Sequence, residues 1–178
     1  MKPVLPFLKR SFLLLLILAP QLLAAKPLPV FTGDIFKFKS AEYKLEINFP
    51  AAFEDTVTTS EDNGSTLYTL KASCSVDKVL YMVTVTKHVV LLSNSLELAD
   101  VSLNSFAETL KAEIRSEADF LYGDLKGREA LMYLPEQQVY AHYRVLLTDK
   151  LQYQIIVLDN AETLSETGAD FFGSVKIL

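Results

Sequence analysis

The chain has 178 residues, half of them hydrophobic, a single cysteine and a formal net charge of −5. That balance excludes a general binder of nucleic acid or of anionic membrane surfaces, since such binding needs clustered Lys and Arg and here they stand singly among acids. The lone Cys74 excludes an internal disulfide, so the fold rests on packing, and the length suffices for the core of one domain.

In chain order, Lys2, Lys9 and Arg10 precede an unbroken apolar run over residues 12–19 and an Ala24-Ala25 exit. A basic start, an apolar stretch too short to span a bilayer and small residues at a cleavage point predict a cleavable signal peptide over residues 1–25. Its removal takes away three cations and no acid, leaving the product more acidic. No cysteine follows Ala25 directly, so there is no site for a lipid anchor there. The expected product is soluble, monomeric, and periplasmic or secreted, touching a membrane only through an uncleaved leader. Residues 26–40, punctuated by Pro27, Pro29 and Gly33, read as an extended lead-in that docks through Phe31, Phe36 and Phe38. Residues 41–178 read as one domain.

Tyr43, Leu45, Ile47 and Phe49 alternate with polar residues and stop at Pro50, the period of a strand with one buried face. Residues 53–59 and 66–72 predict a hairpin around Glu61-Asp62-Asn63-Gly64, and residues 79–86 a further strand. After Leu96, Leu103, Phe106, Ala107, Leu110 and Ile114 recur at helical spacing, with Asp100 or Ser102 as alternative caps. Gly123 and Gly127 punctuate the return to strand. Residues 128–134, 139–148 and 151–158 then predict a meander, and residues 161–172 a second helix before an extended tail. In the strands over 139–148 and 151–158, apolar side chains occupy both parities, so both sheet faces require a cover.

No catalytic or metal-binding signature stands out. His88 and His142 lack metal-site spacing, no serine sits in a nucleophile elbow, and Asp77 near Cys74 opposes thiolate formation. The turn at Glu61-Asp62 lacks the spacing of a calcium loop. If the Pro135 loop makes a hairpin, His142 and Arg144 share a strand face and Glu129 lies opposite Arg144 as an ion pair. Six of the tyrosines (68, 81, 133, 140, 143 and 153) fall on strands, where they serve equally as core or as a gripping surface. The candidate binding face is Tyr140, His142, Tyr143, Arg144 and Tyr153; no catalytic, cofactor or metal residue is assigned.

The opening Tyr43-Lys44-Leu45-Glu46-Ile47-Asn48-Phe49-Pro50, the Gly127 strand, the run from Leu151 to Val157 and the closing Ala169-Asp170-Phe171-Phe172-Gly173-Ser174-Val175 resemble the PsbP-like domains of bacteria. The resemblance spans most of the chain after residue 25. It implies an α+β fold, a three-layer α/β/α sandwich with a central, mainly antiparallel sheet, and a protein-binding role without catalysis or cofactor. Relatives in that family include an extrinsic subunit of photosystem II and a yeast factor that binds the nuclear-transport GTPase Ran. Neither partner carries over, because a nuclear role conflicts with export, and no functional residue of the family matches a position here. The partner expected is another protein of the cell envelope, with a small apolar-ligand carrier, its pocket between sheet and helix, as the alternative.

Overall fold

Residues 35–62, 65–89, 91–92 and 95–178 are described by the structure, a computed structural model. The expected signal peptide, the early lead-in with Phe31 and Gly33, and Asn63-Gly64 lie outside the described residues.

Alternating Phe36 and Phe38 with Lys37 and Lys39 makes β1 (Phe36–Ser40), so the end of the expected lead-in is a strand of the domain. It pairs antiparallel with β2 (Leu45–Phe49), Phe38 opposite Ile47. Tyr43 lies in the turn before β2, where Lys44 takes a left-handed φ of 48°. The tail returns as β10 (Lys176–Ile177) on the other side of β2, closing a three-stranded sheet. On its outer surface Glu46 is buried among lysines, its carboxylate 2.7 Å from Lys37 Nζ, 3.4 Å from Lys176 and 3.7 Å from Lys39. The Lys37 hydrogen bond, before other causes, holds that carboxyl below its ordinary range.

The remaining strands are β3 (Glu54–Asp62), β4 (Ser65–Val76), β5 (Val79–Lys87), β6 (Glu113–Tyr122), β7 (Leu125–Leu134), β8 (Val139–Leu147) and β9 (Leu151–Asp159). They form one seven-stranded sheet of order β3-β4-β5-β9-β8-β7-β6, every pair antiparallel. Among the described residues, two runs of hairpins, β3 to β5 and β6 to β9, pair only along the β5–β9 seam, where Val83 faces Ile155.

The helix α1 (Ser95–Leu110) covers one face of this sheet. Ala99, Leu103, Phe106 and Ala107 pack there on Met132, Leu134, Ala141, Val145 and Leu147. Asp100 and Ser102 lie within α1 and cap nothing. The helix ends at Lys111, which takes φ 51° while the Ala112 amide reaches back to the Ala107 carbonyl at 2.8 Å, a left-handed stop. Ile114 therefore belongs to β6.

On the other face, Phe38, Leu45, Ile47 and Phe49 of the small sheet join Phe171 and Phe172 of α2 (Glu166–Gly173) over Leu70, Val83, Tyr153 and Val157. The burial inferred from two-sided apolar patterning is realised, although this second cover is strand as much as helix. Ser165 caps α2, its hydroxyl accepting from the Gly168 amide at 3.1 Å, so residues 161–164 fall outside the helix. Cys74 is buried in this cluster, and burial pushes its thiol up to about 11.

Candidate functional site

Alternation along β8 splits the expected binding face in two. Ala141, Tyr143, Val145 and Leu147 point under α1, whereas Tyr140, His142, Arg144 and Leu146 point to the opposite face. Tyr143 is 1% exposed, its ring stacked on Phe106 at 4.6 Å and its hydroxyl 3.0 Å from Ser102 Oγ. Tyr153 is fully buried and donates to the Tyr43 carbonyl at 3.2 Å; burial pushes its phenol up to about 12. Both are core side chains that a partner cannot reach. Of the five, Tyr140, His142 and Arg144 keep part of their surface in solvent.

These three occupy a part of the sheet that the small sheet does not cover. The β7–β8 hairpin turns through residues 135–138 and sets Glu129 opposite Arg144, as expected from the loop position. Arg144 Nε donates to the Glu129 carboxylate at 2.9 Å, while its guanidinium lies 4.6 Å from the Phe172 ring centre and 5.2 Å from that of Phe120. The cation is thus fixed by one carboxylate and two aromatic faces.

His142 sits between this pair and Tyr140. Its Nε2 is buried without a hydrogen-bond partner among the described residues. Burial pulls the imidazole pKa down, opposed by a hydrogen bond to the Ala161 backbone and by nearby Asp159. Around His142 and Arg144 lies an open cleft of about 230 Å³, bounded by Glu129 and Leu131 on β7, Ser116 and Ala118 on β6, and Leu164 and Phe172 at α2.

Beyond the cleft the same face continues outward. Tyr133 and Tyr140, paired across the hairpin, have ring centres 5.1 Å apart, and the Arg115 guanidinium lies 5.4 Å over Tyr133. The register that placed Glu129 against Arg144 also places Tyr133 against Tyr140, so this pair was within reach of sequence reasoning. Arg115, Phe120 and Leu164 were not, because β6 carries no readable alternation and residue 164 meets the sheet only through the fold. Among the described residues no three His, Cys, Asp or Glu side chains converge as a metal site.

A seven-stranded antiparallel sheet with α1 on one face and α2 with a small sheet on the other has the PsbP-like fold. A solved structure that shows this is the solution structure of cyanobacterial PsbP (CyanoP) from Synechocystis sp. PCC 6803. It superposes with a TM-score of 0.58 over 86% of this chain and 98% of that one, at 6% sequence identity. At that identity the likeness is one of fold. No family model and no curated protein matches the sequence.

Proposed function

We propose that this chain is a non-enzymatic, exported accessory module that binds another protein of the cell envelope through the open face of β6, β7 and β8. The observation that carries this reading is the continuous surface of Arg115, Tyr133, Tyr140, Leu131, His142 and the Arg144 cleft. Tyrosine and arginine around a small apolar centre are the side chains enriched where proteins meet, since they bury large areas with few rotatable bonds and keep a polar tip. The layering supports it: α1 covers the opposite face of β7 and β8, whereas on this face Leu131, Tyr133, Tyr140 and His142 keep part of their surface in solvent. The leader composition, with no helix among the described residues long and apolar enough to cross a membrane, supports export to the periplasm or beyond.

The apolar-carrier alternative has weaker support. Small-molecule pockets usually enclose about 300–1,000 Å³ of mainly apolar space. The cleft beside Arg144 is smaller, open, and bears an ion pair and a histidine, and the larger hollow of about 500 Å³ between β2 and α2, lined by Phe49, Pro50 and Phe171, is open to solvent rather than enclosed.

The test is site-specific photocrosslinking in the native cell envelope, with the crosslinker at position 131 or 140 and, as a control, at exposed Lys78 in the β4–β5 turn. One protein captured at both 131 and 140, absent at 78 and lost when Arg144→Ala is added, is the expected result. Identical capture at all positions, or none at 131 and 140, rules the face out.

A further inference from the structure

Four strands form the sheet edges among the described residues, and three of them are blunted against further pairing. The strand β10 has two residues. The strand β1 is short and carries Lys37 and Lys39. The strand β6 is long, but its register with β7 breaks between Ile114 and Ser116, and it bears Glu113, Arg115, Glu117 and Asp119. A bulge, charges and shortness are the devices by which natural sheets prevent edge association.

The strand β3 has none of those devices along its centre. It pairs with β4 over nine residues from Glu54 to Asp62 without a register shift, and contains neither proline nor lysine. Its centre, Thr56-Val57-Thr58-Thr59-Ser60, is rich in β-branched residues, and Val57 is 55% exposed. All of its charges are acidic and all stand at the ends, Glu54 and Asp55 on one side and Glu61 and Asp62 on the other. Lys71 on β4, paired with Thr56, interacts with Glu54, one cation against the four acids of the strand.

We infer that β3 is a second docking edge, which accepts an extended segment of another protein carrying basic residues at both ends of an uncharged, β-branched centre. The occupant adds an eighth strand by main-chain hydrogen bonds, and the end charges select it. A second copy of this chain is disfavoured by the same charges. Antiparallel pairing of two β3 strands about Thr58 sets Asp55 directly opposite Glu61, and like charges in that position repel. A basic-ended strand converts both repulsions into cross-strand ion pairs. The inference stands on β3 alone and is independent of the β6–β8 face.

The test uses the protein with a synthetic peptide bearing Lys-Lys at each end of a Thr-Val-Thr-Val-Thr centre. One control peptide has Glu-Glu ends, and another keeps the lysines but has proline as its central residue. Expected are binding at least about tenfold tighter than for either control and new amide-exchange protection along β3 but not β6. Val57→Lys should weaken binding by a similar factor; Thr59→Lys serves in its place if that variant fails to fold. Leu131→Asp, which disrupts the β6–β8 face, should leave it unchanged. Equal binding of the proline peptide, protection absent from β3, or loss of binding in Leu131→Asp each overturns the inference.

Discussion

Beneath α1, one hydroxyl serves three buried groups. Ser102 Oγ accepts from Gln152 Nε2 at 2.8 Å and from Gln154 Nε2 at 3.0 Å, so its own hydrogen is directed at the Tyr143 hydroxyl. Gln154 in turn accepts from Thr84 at 2.9 Å. Neutral polar groups are held in a dry interior only when each is paired, so Ser102→Ala, which strands two amides, should cost about 1–3 kcal/mol in urea unfolding. Tyr143→Phe should cost less, because it leaves those amides paired with Ser102. His142 makes a different prediction. Its folded pKa lies below the ordinary 6.5, so between those values the unfolded chain binds the extra proton. Stability contributed by the neutral ring is present above pH 6.5 and is lost as pH falls from there toward the folded value. Burial is the main cause of the lowered value, and the Ala161 backbone and Asp159 oppose it. Unfolding free energies measured at pH 7.5 and 5.5 should fall less for His142→Gln than for the parent; equal falls would remove His142 as the cause.

At the level of single elements, Gly127 shows how closely the hairpins are packed. A methyl group built on it meets the Val145 carbonyl oxygen, and Leu146 Cδ2 and Phe120 Cε1 at 2.7 Å each. One obstacle is backbone, which cannot rotate aside, so Gly127→Ala should destabilise by about 1–3 kcal/mol in the same assay. A loss below half that range would mean that β7 and β8 separate easily. The same elements show what the sequence discloses. The strands β2, β4, β5, β7, β8 and β9 were legible because burial on one or both faces leaves an apolar signature, and loop position alone gave the Glu129–Arg144 pair. The strand β6 was invisible because almost every residue in it is exposed, so nothing selects an apolar parity. The start of α1 was misread because Asp100 and Ser102 have the chemistry of caps, yet Asp100 instead binds Arg128 and Ser102 anchors the polar network. The binding face was half legible. Parity separates Tyr140 from Tyr143, but only the fold reveals that the face carrying Tyr143 lies under a helix and that Tyr153 lies under the small sheet.

Across the whole molecule, two hydrophobic clusters lie on opposite faces of one sheet, and β5 and β9 contribute to both. Leu80 and Met82 belong to the α1 side, Tyr81, Val83 and Val85 to the other; Ile156 and Val157 divide in the same way. The tail then binds the periphery together, for the Tyr122 hydroxyl donates to the Val175 carbonyl at 3.2 Å and accepts from the Ile177 amide at 3.1 Å. Because, among the described residues, the two hairpin runs pair only at β5–β9, with α1 and three strands between them in the chain, the order of events in folding is constrained. Hairpins close in about 1–10 μs, whereas joining distant strands requires the intervening chain to be gathered first. The β5–β9 contact is therefore the expected slow step, formed in the transition state. In stopped-flow experiments Val83→Ala should chiefly slow refolding, and Thr66→Ala, at the outer hairpin, should chiefly speed unfolding. Until the seam forms, each run of hairpins presents a central strand as a bare edge, so newly made chains are most exposed to mutual pairing, and to chaperones, during that interval.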